Sequence, residues 1–308
     1  MDKLVVSPSP HIRADRKTSD IMLDVLIALL PALVAGILVF GLRALLVTAV
    51  TVAACVAFEY LSRRLMKRDN TIGDLSAVVT GVLLAFNLPV TIPLWIAVIG
   101  AFVAIVIVKQ LFGGIGQNFA NPAIAARVVL LVSFTGQMTH WIAPVRPSVD
   151  AVAGATPLAD LDGYHLMTLF VGNHAGCIGE TSALALILGG IYLILRRVIS
   201  PTIPVVYIGT VFVFAWLFGQ DPVRQILAGG LMLGAFYMAT DYTTSPLTEK
   251  GRLIFAFGCG LMTMLIRQFG NYPEGVSFAI LFMNMLVPFI DRATKSKPFG
   301  RKQKHESV

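Results

Sequence analysis

Only a few ionisable residues of this 308-residue chain lie in or beside its apolar runs, and these residues could carry chemistry. A charge at the centre of a bilayer costs about 2.5–3.5 kcal/mol on insertion scales, so each such residue needs a partner or a position near the interface. We expect Asp24, Glu59 and Lys109 to reach the interface, because they lie near the ends of apolar runs. Asp241 follows an apolar run, in a polar cluster that fits either a structural or a functional role.

Arg127 and Glu180 are the two remaining ionisable candidates. Arg127 lies deeper in its run, nearly two turns after Asn121, and should pair with a carbonyl, a carboxylate or a ligand. A structural and a functional role are equally open for it. Glu180, followed by Thr181 and Ser182, precedes an apolar run, where a carboxylate is favoured by the dipole of the following helix, so capping alone could explain it.

Metal chemistry and nucleophilic catalysis have little support in the sequence. Cys55, Cys177 and Cys259 are far apart and form no CxxC motif, so we expect them to be inert apolar residues and predict no metal site. The histidines at 140, 165 and 174 share one loop without helical spacing, and no Ser/His/Asp arrangement is present.

One stretch, residues 150–158, presents a hydroxyl among small residues. It begins at Asp150 and runs through Gly154 and Ala155 to Thr156 and Pro157. Proline biases the preceding residue towards extended backbone, so we expect the Thr156 hydroxyl to be accessible and open to modification. A plain surface turn is the alternative.

The elements that position these residues must be membrane helices. Hydrophobic residues make up 56% of the chain and charged residues 13%, about half the charge of a soluble domain. Runs near the ~20 residues of a spanning helix predict ten spans. They cover about 21–41, 43–60, 75–88, 94–112, 121–136, 180–198, 203–219, 222–240, 251–269 and 275–291.

The distribution of basic residues predicts the orientation. With the N-terminus in the cytoplasm, 19 of the 24 basic residues fall on the cytoplasmic side, as the positive-inside rule requires. The net charge of +7 therefore indicates orientation and no nucleic-acid partner. The predicted parts are a cytoplasmic arm (1–20), five helices (21–136), an extracytoplasmic loop (137–179), five helices (180–292) and a basic cytoplasmic tail (293–308).

The two sets of five helices resemble each other weakly. Lys109–Gly113 is echoed by Arg267–Gly270, and Gly81–Phe86 by Gly230–Phe236. Five helices per set require an inverted repeat, and such repeats place binding sites near their interface, at interrupted helices. The predicted interruptions are 113–122 and 270–275. Ordinary tight turns with chance matches are the alternative.

The order of the motifs carries a resemblance to a known family. Ser9–Arg13, Phe86–Pro89, Gly113–Asn118, Asn121–Ala123, Gly154–Leu158, Gly179–Ser182 and Ala239–Tyr242 occur in this sequence. In this order the chain resembles the D subunits of Rnf complexes and, more distantly, the B subunits of Na⁺-translocating NADH:quinone reductases. The likeness runs nearly end to end.

The resemblance implies two flavins. A threonine of the family motif carries FMN through a phosphoester, and Thr156 matches it, although Ala153 stands where the family has Ser or Thr. A flavin transferase using FAD as donor would attach the FMN. Riboflavin is the implied second flavin, with Asn118 and Asn121 as candidate contacts at its ring edge. The residues proposed for cofactor binding are Thr156, Asp150, Gly154, Ala155, Glu180, Thr181, Ser182, Asn118, Asn121 and Arg127.

The implied function is electron transfer in a ferredoxin:NAD⁺ oxidoreductase of the cytoplasmic membrane, coupled to Na⁺ or H⁺ movement. The implied partners are the other Rnf membrane subunits and flavin and iron–sulfur subunits. The repeat alone also fits a flavin-free channel or secondary transporter, and a structural scaffold is a third hypothesis.

Overall fold

The computed structural model describes residues 16–144, 156–158, 163–270 and 274–295. These residues form helices joined by turns, the part of the chain described contains no strand, and Pro89 and Cys177 form an isolated bridge. The first helices are α1 (Thr18–Phe40), α2 (Leu42–Leu65), α3 (Ser76–Phe86), α4 (Leu94–Phe102), α5 (Pro122–Ser133) and α6 (Thr135–Met138). The later ones are α7 (Leu166–Val171), α8 (Ala183–Leu195), α9 (Thr202–Leu217), α10 (Pro222–Leu227), α11 (Leu231–Leu233), α12 (Glu249–Phe269) and α13 (Val276–Thr294).

Four helices, α1, α2, α12 and α13, are long and apolar enough to cross a membrane. Five shorter apolar helices accompany them, at Ser76–Phe86, Leu94–Gln110, Pro122–Ser133, Ala183–Leu195 and Thr202–Leu217. Large apolar side chains point outwards at the α1–α2 junction, where Leu38 is 79% and Leu42 77% exposed. Such surfaces suit contact with lipid, and the prediction of an all-helical membrane protein is confirmed. The ten spans, the segment boundaries and the orientation stay predictions.

The span predicted at 222–240 is not one continuous helix. It is broken at residues 228–230, between α10 and α11, and we call this the 228–230 break. Gly229 lies at φ +68°, a left-handed conformation that glycine adopts without strain, and this conformation ends the helix. The predicted interruption at 113–122 is helix-free up to Asn121, whereas residues 271–273 of the second lie outside the described residues.

Two segments are wound as π-helices, and both continue an α-helix. Val103–Gln110 prolongs α4, and Gly234–Met238 prolongs α11. π-helical turns are rare and occur often at functional sites, which makes the surroundings of these two segments candidates for a site.

The helices of the two halves make corresponding contacts. In the first half α2 packs against α3 and α4, and in the second α9 packs against α10 and α12. α1 packs against α8, and α5 against α13, so two helix pairs join the halves. α1 and α8 approach so closely at Gly189 that an added Cβ would collide with the Ala28 carbonyl oxygen.

Polar contacts also join α1 to α8. The buried Asp24 carboxylate accepts hydrogen bonds from the Tyr192 hydroxyl at 2.9 Å and from Arg196 Nε at 3.2 Å. Arg16 donates to the Arg196 carbonyl at 3.0 Å. Asp24 was predicted to reach the interface; instead it is buried and paired with the end of α8.

Candidate functional site

Thr156 is buried, and Leu158 of the same short segment packs against the 228–230 break. Thr156 is 7% exposed, and Leu158, two residues later, places its Cδ1 only 2.6 Å from where a Cβ of Gly229 would lie. A side chain at Gly229 would therefore push this segment away. The prediction of an accessible hydroxyl is wrong for this structure, because the sequence does not reveal the packing of Leu158 on Gly229. Asp150, Gly154 and Ala155, the other candidates of the loop, lie outside the described residues.

Arg267 of α12 also contacts the 228–230 break. Its Nη1 donates to the Gln225 carbonyl at 2.6 Å, and its Nη2 donates to the Ala228 carbonyl at 3.1 Å. These are carbonyls at the end of α10, which lack partners in their own helix. These hydrogen bonds connect the 228–230 break, where Leu158 packs on Gly229, to the long helix α12.

Arg127 lies at the centre of a buried ion-pair cluster, which we call the Arg127 cluster. Its Nη1 donates to Glu180 Oε1 at 2.8 Å and to Asn87 Oδ1 at 2.5 Å. Its Nη2 donates to Glu274 and contacts Cys177 Sγ at 3.6 Å. Of the three kinds of partner predicted for Arg127, a carbonyl, a carboxylate or a ligand, the structure shows carboxylates. The cluster joins residues of both halves of the chain.

Glu180 belongs to this cluster and is not a helix cap. Helix α8 begins three residues later, and Ser182 caps it by accepting a hydrogen bond from the Ala185 N–H at 3.3 Å. The capping interpretation of Glu180 is therefore wrong. Thr181 is buried between these two residues, so the stretch 180–182 serves the ion pair and the helix start.

The Arg127 cluster also brings potential metal ligands together, which the sequence analysis did not predict. Atoms of Cys177, Glu180 and Glu274 lie within 4.8 Å of one another. Both carboxylates bind the guanidinium, however, and burial raises the pKa of the Cys177 thiol. This donor set suits a structural ion pair better than a metal ion, since metal ligands must be deprotonated and free.

A cavity of about 370 Å³ is lined by Asn118 and Asn121 among other residues. Its walls are mainly apolar, from side chains such as Val79, Leu83 and Phe236. Small-molecule sites typically measure about 300–1,000 Å³ and combine apolar walls with a few polar groups. The cavity fits this description.

The two asparagines hold the cavity wall through different contacts. Asn118 Nδ2 donates to the Ala120 carbonyl at 3.1 Å and to Thr243 Oγ1 at 3.0 Å. Asn121 caps α5, since its Oδ1 accepts from the Ala123 N–H at 3.1 Å, and its Nδ2 donates to the Met238 carbonyl at 3.3 Å. Both amides therefore join the interrupted segment 113–121 to the second half.

A buried ion pair borders the same cavity. Lys109 Nζ lies 2.7 Å from Glu59 Oε2 and 2.6 Å from Ser76 Oγ. Lys109 is 3% and Glu59 0% exposed, so the prediction that they reach the interface is wrong. Each finds its partner on another helix instead of in water. Lys109, Ser76 and Asp241 line the cavity.

The predicted site residues therefore divide into two places. Thr156, Glu180 and Arg127 lie on the side of the 228–230 break, since Glu180 Oε1 is 2.7 Å from where a Cβ of Gly230 would lie. Asn118 and Asn121 lie at the cavity. Sequence reasoning did not assign Asn87 or Lys109 to a site, although a polar residue within an apolar stretch is a signal for both.

Comparison with known proteins gives consistent matches. The profile of the NQR2, RnfD, RnfE family matches residues 5–300. The chain is 53% identical to the D subunit of the Na⁺-translocating ferredoxin:NAD⁺ oxidoreductase complex of Acetobacterium woodii, over 96% of this chain and 95% of that one. It is 44% identical to the D subunit of the proton-translocating ferredoxin:NAD⁺ oxidoreductase complex of Clostridium ljungdahlii, over 97% and 96%. It is 41% identical to the D subunit of the ion-translocating oxidoreductase complex of Stutzerimonas stutzeri, over 91% and 92%.

Proposed function

The chain belongs to the NQR2, RnfD, RnfE family, and from this membership we propose that it is a membrane subunit of an ion-translocating ferredoxin:NAD⁺ oxidoreductase. The supporting observation is identity of 41–53% over nearly the full length of D subunits. The partners we propose are the other membrane subunits and the flavin and iron–sulfur subunits of an Rnf complex. One relative is named as a subunit of a Na⁺-translocating complex and another as a subunit of a proton-translocating complex, so either coupling ion fits.

Covalent FMN at Thr156, joined through a phosphoester, is the first cofactor we propose. The family motif at Gly154–Leu158 supports it. The packing of Leu158 on Gly229 also supports it, because this contact would hold the modified segment in one place. Because Thr156 is 7% exposed, we expect the flavin transferase to act before this segment packs against the break. The flavin supplies the electron-transfer chemistry, and the protein holds and orients it.

A second, noncovalent flavin, riboflavin, is proposed for the cavity. The apolar walls suit the faces of a flat ring system, and amide side chains such as those of Asn118 and Asn121 suit its polar edge. These walls would also exclude water from the ring. The proposed membrane frame is ten spans in two inverted repeats, with both termini in the cytoplasm and residues 137–179 outside.

Mass spectrometry of the peptide that spans Thr156 tests the covalent cofactor. We expect an added mass equal to FMN as a phosphoester, together with flavin fluorescence that survives SDS electrophoresis. Thr156→Val should abolish both signals, whereas Thr139→Val, a change at an exposed threonine of the same predicted loop, should abolish neither. Fluorescence retained in Thr156→Val would refute the assignment.

A flavin-free channel or secondary transporter is the alternative function. The cavity is compatible with this alternative, because it is lined by residues of both halves. Colourless purified protein that conducts a small solute in liposomes would support this alternative over the electron-transfer function.

A further inference from the structure

The pair of Lys109 and Glu59 places a single cation at the cavity wall. Among the described residues that line the cavity, Lys109 is the one cation, and Asp241 is the one carboxylate. Asp241 is engaged with its own turn, where it accepts hydrogen bonds from Thr243 and Thr244. Lys109 is therefore the group whose positive charge acts on an occupant of the cavity.

Glu59 holds this cation in place from behind. It does not line the cavity, and its second oxygen, Oε1, accepts a hydrogen bond from Thr71 at 3.0 Å. Ser76, which contacts Lys109 Nζ, donates in turn to Asp74 at 2.5 Å. Lys109 is thus fixed at the wall by partners that are themselves fixed.

The local backbone also marks this place. Lys109 belongs to the π-helical segment Val103–Gln110, and the other π-helical segment, Gly234–Met238, supplies Phe236 and Tyr237 to the same cavity. The two π-helical segments of the described chain therefore border one cavity. Because π-helical turns concentrate at functional sites, this agrees with a cavity that binds a ligand.

We propose that Lys109 is a positioning residue that raises the reduction potential of the flavin in the cavity, with Glu59 as the counter-charge that limits this effect. The inference rests on the proposed second flavin. One electron, supplied by a partner redox centre, adds one unit of negative charge to the ring unless a proton accompanies it. A fixed cation in a region of low dielectric constant favours this charge, and a carboxylate behind the cation weakens the cation's field.

Redox titration of the noncovalent flavin tests the inference. The full chain is purified with Thr156→Val, so that the noncovalent flavin gives the absorbance signal, and is titrated with dithionite and mediators. We expect Lys109→Met to lower the equilibrium constant for one-electron reduction by at least tenfold, which is about 59 mV. Glu59→Gln should change the potential in the opposite direction, because it removes the counter-charge.

The double variant and a surface control complete the test. Lys109→Met combined with Glu59→Gln should bring the potential back towards that of the parent protein, since positions 109 and 59 together carry no net charge in either protein. Lys250→Met, at an exposed lysine that is not part of the cavity lining, should leave the potential unchanged. If Lys109→Met does not fold, a higher potential in Glu59→Gln supports the inference, and an unchanged or lower one overturns it.

Two other results are distinguishable. A parent protein that contains the noncovalent flavin, but whose potential is the same in both single variants, overturns the role of Lys109 alone. Extraction that yields no noncovalent flavin from the Thr156→Val parent overturns the second-flavin proposal itself, and the role of Lys109 with it.

Discussion

Asn121, the cap of α5, donates a hydrogen bond from Nδ2 to the backbone oxygen of Met238 at 3.3 Å, across 117 positions of the chain. Met238 ends the second π-helical segment, and its sulfur accepts a hydrogen bond from Asn87 Nδ2 at 3.7 Å. Asn87 in turn contacts Arg127. The cavity and the Arg127 cluster are therefore neighbours, connected through one methionine.

Loss of the Arg127 charge should strongly destabilise the protein. Arg127→Met leaves Glu180 and Glu274 without their cation, and breaking a buried pair costs about 3–5 kcal/mol. The measurement is the thermal unfolding midpoint in detergent. Arg252→Met removes an exposed pair with Glu249 and should cost at most about 1 kcal/mol. Equal midpoints for the two variants would contradict the structural role of the cluster.

A single methyl group should disturb the contact between α1 and α8. In Gly189→Ala the new Cβ would meet the Ala28 carbonyl and the Tyr237 hydroxyl, so we expect a loss of about 1–3 kcal/mol from overpacking. Gly209→Ala is the matched control, because this exposed glycine of α9 has open space around it. If both variants unfold at the same temperature, the close approach is wrong.

The burial of His174 should make the folded protein less stable at acidic pH. The side chain is 2% exposed, and burial lowers its pKa below the ordinary value of 6.5. Below about pH 6.5 the unfolded chain binds a proton that the folded chain resists, so stability falls by up to about 1.4 kcal/mol per pH unit. His174→Gln should reduce the change of the thermal unfolding midpoint between pH 7 and pH 5. His165→Gln, at an exposed histidine, should leave this pH dependence unchanged.

Asn118 should influence the amount of noncovalent flavin. Asn118→Ala removes its contacts with Ala120 and Thr243 at the cavity, so less flavin should be released by denaturing the purified protein. Asn70→Ala changes an exposed asparagine that accepts a hydrogen bond from the backbone of Ile72, and it should keep the flavin content of the parent. The flavin is quantified by chromatography; equal content in both variants would exclude Asn118 as a contact.

Single cysteines should report the predicted orientation. The native cysteines at 55, 177 and 259 are buried, so an impermeant maleimide should label introduced ones preferentially. Asp69→Cys should react from the cytoplasmic side and His140→Cys from the opposite side, since both positions are exposed. Labelling of both from the same side would refute the arrangement of spans between them.

Hydropathy predicted the long helices well, because the apolar environment of a spanning helix requires apolar residues within the helix itself. α1, α2, α12 and α13 all appear where apolar runs predicted helices. Asn121 followed by Pro122 likewise indicates a helix start, and α5 begins there. Local chemistry decides such features, so a single sequence is enough.

The pairing of charges could not be predicted in the same way. An arginine within an apolar run, such as Arg127, predicts that a partner exists but not which one. Its partners Glu180 and Glu274 are 53 and 147 positions away in the sequence. Thr156 gives the opposite error, because its neighbours favour exposure whereas a distant glycine makes room for Leu158. Both depend on the three-dimensional arrangement of the helices.

The contact between Asp24 and Arg196 has a consequence for the synthesis of the chain. The two residues are 172 positions apart, which a ribosome covers in roughly 9–35 seconds at about 5–20 residues per second. During this interval α1 has left the ribosome, but its carboxylate has neither the guanidinium of Arg196 nor the hydroxyl of Tyr192. The first helix therefore enters the membrane as an incomplete element, and the completion of α8 fixes it in its final place.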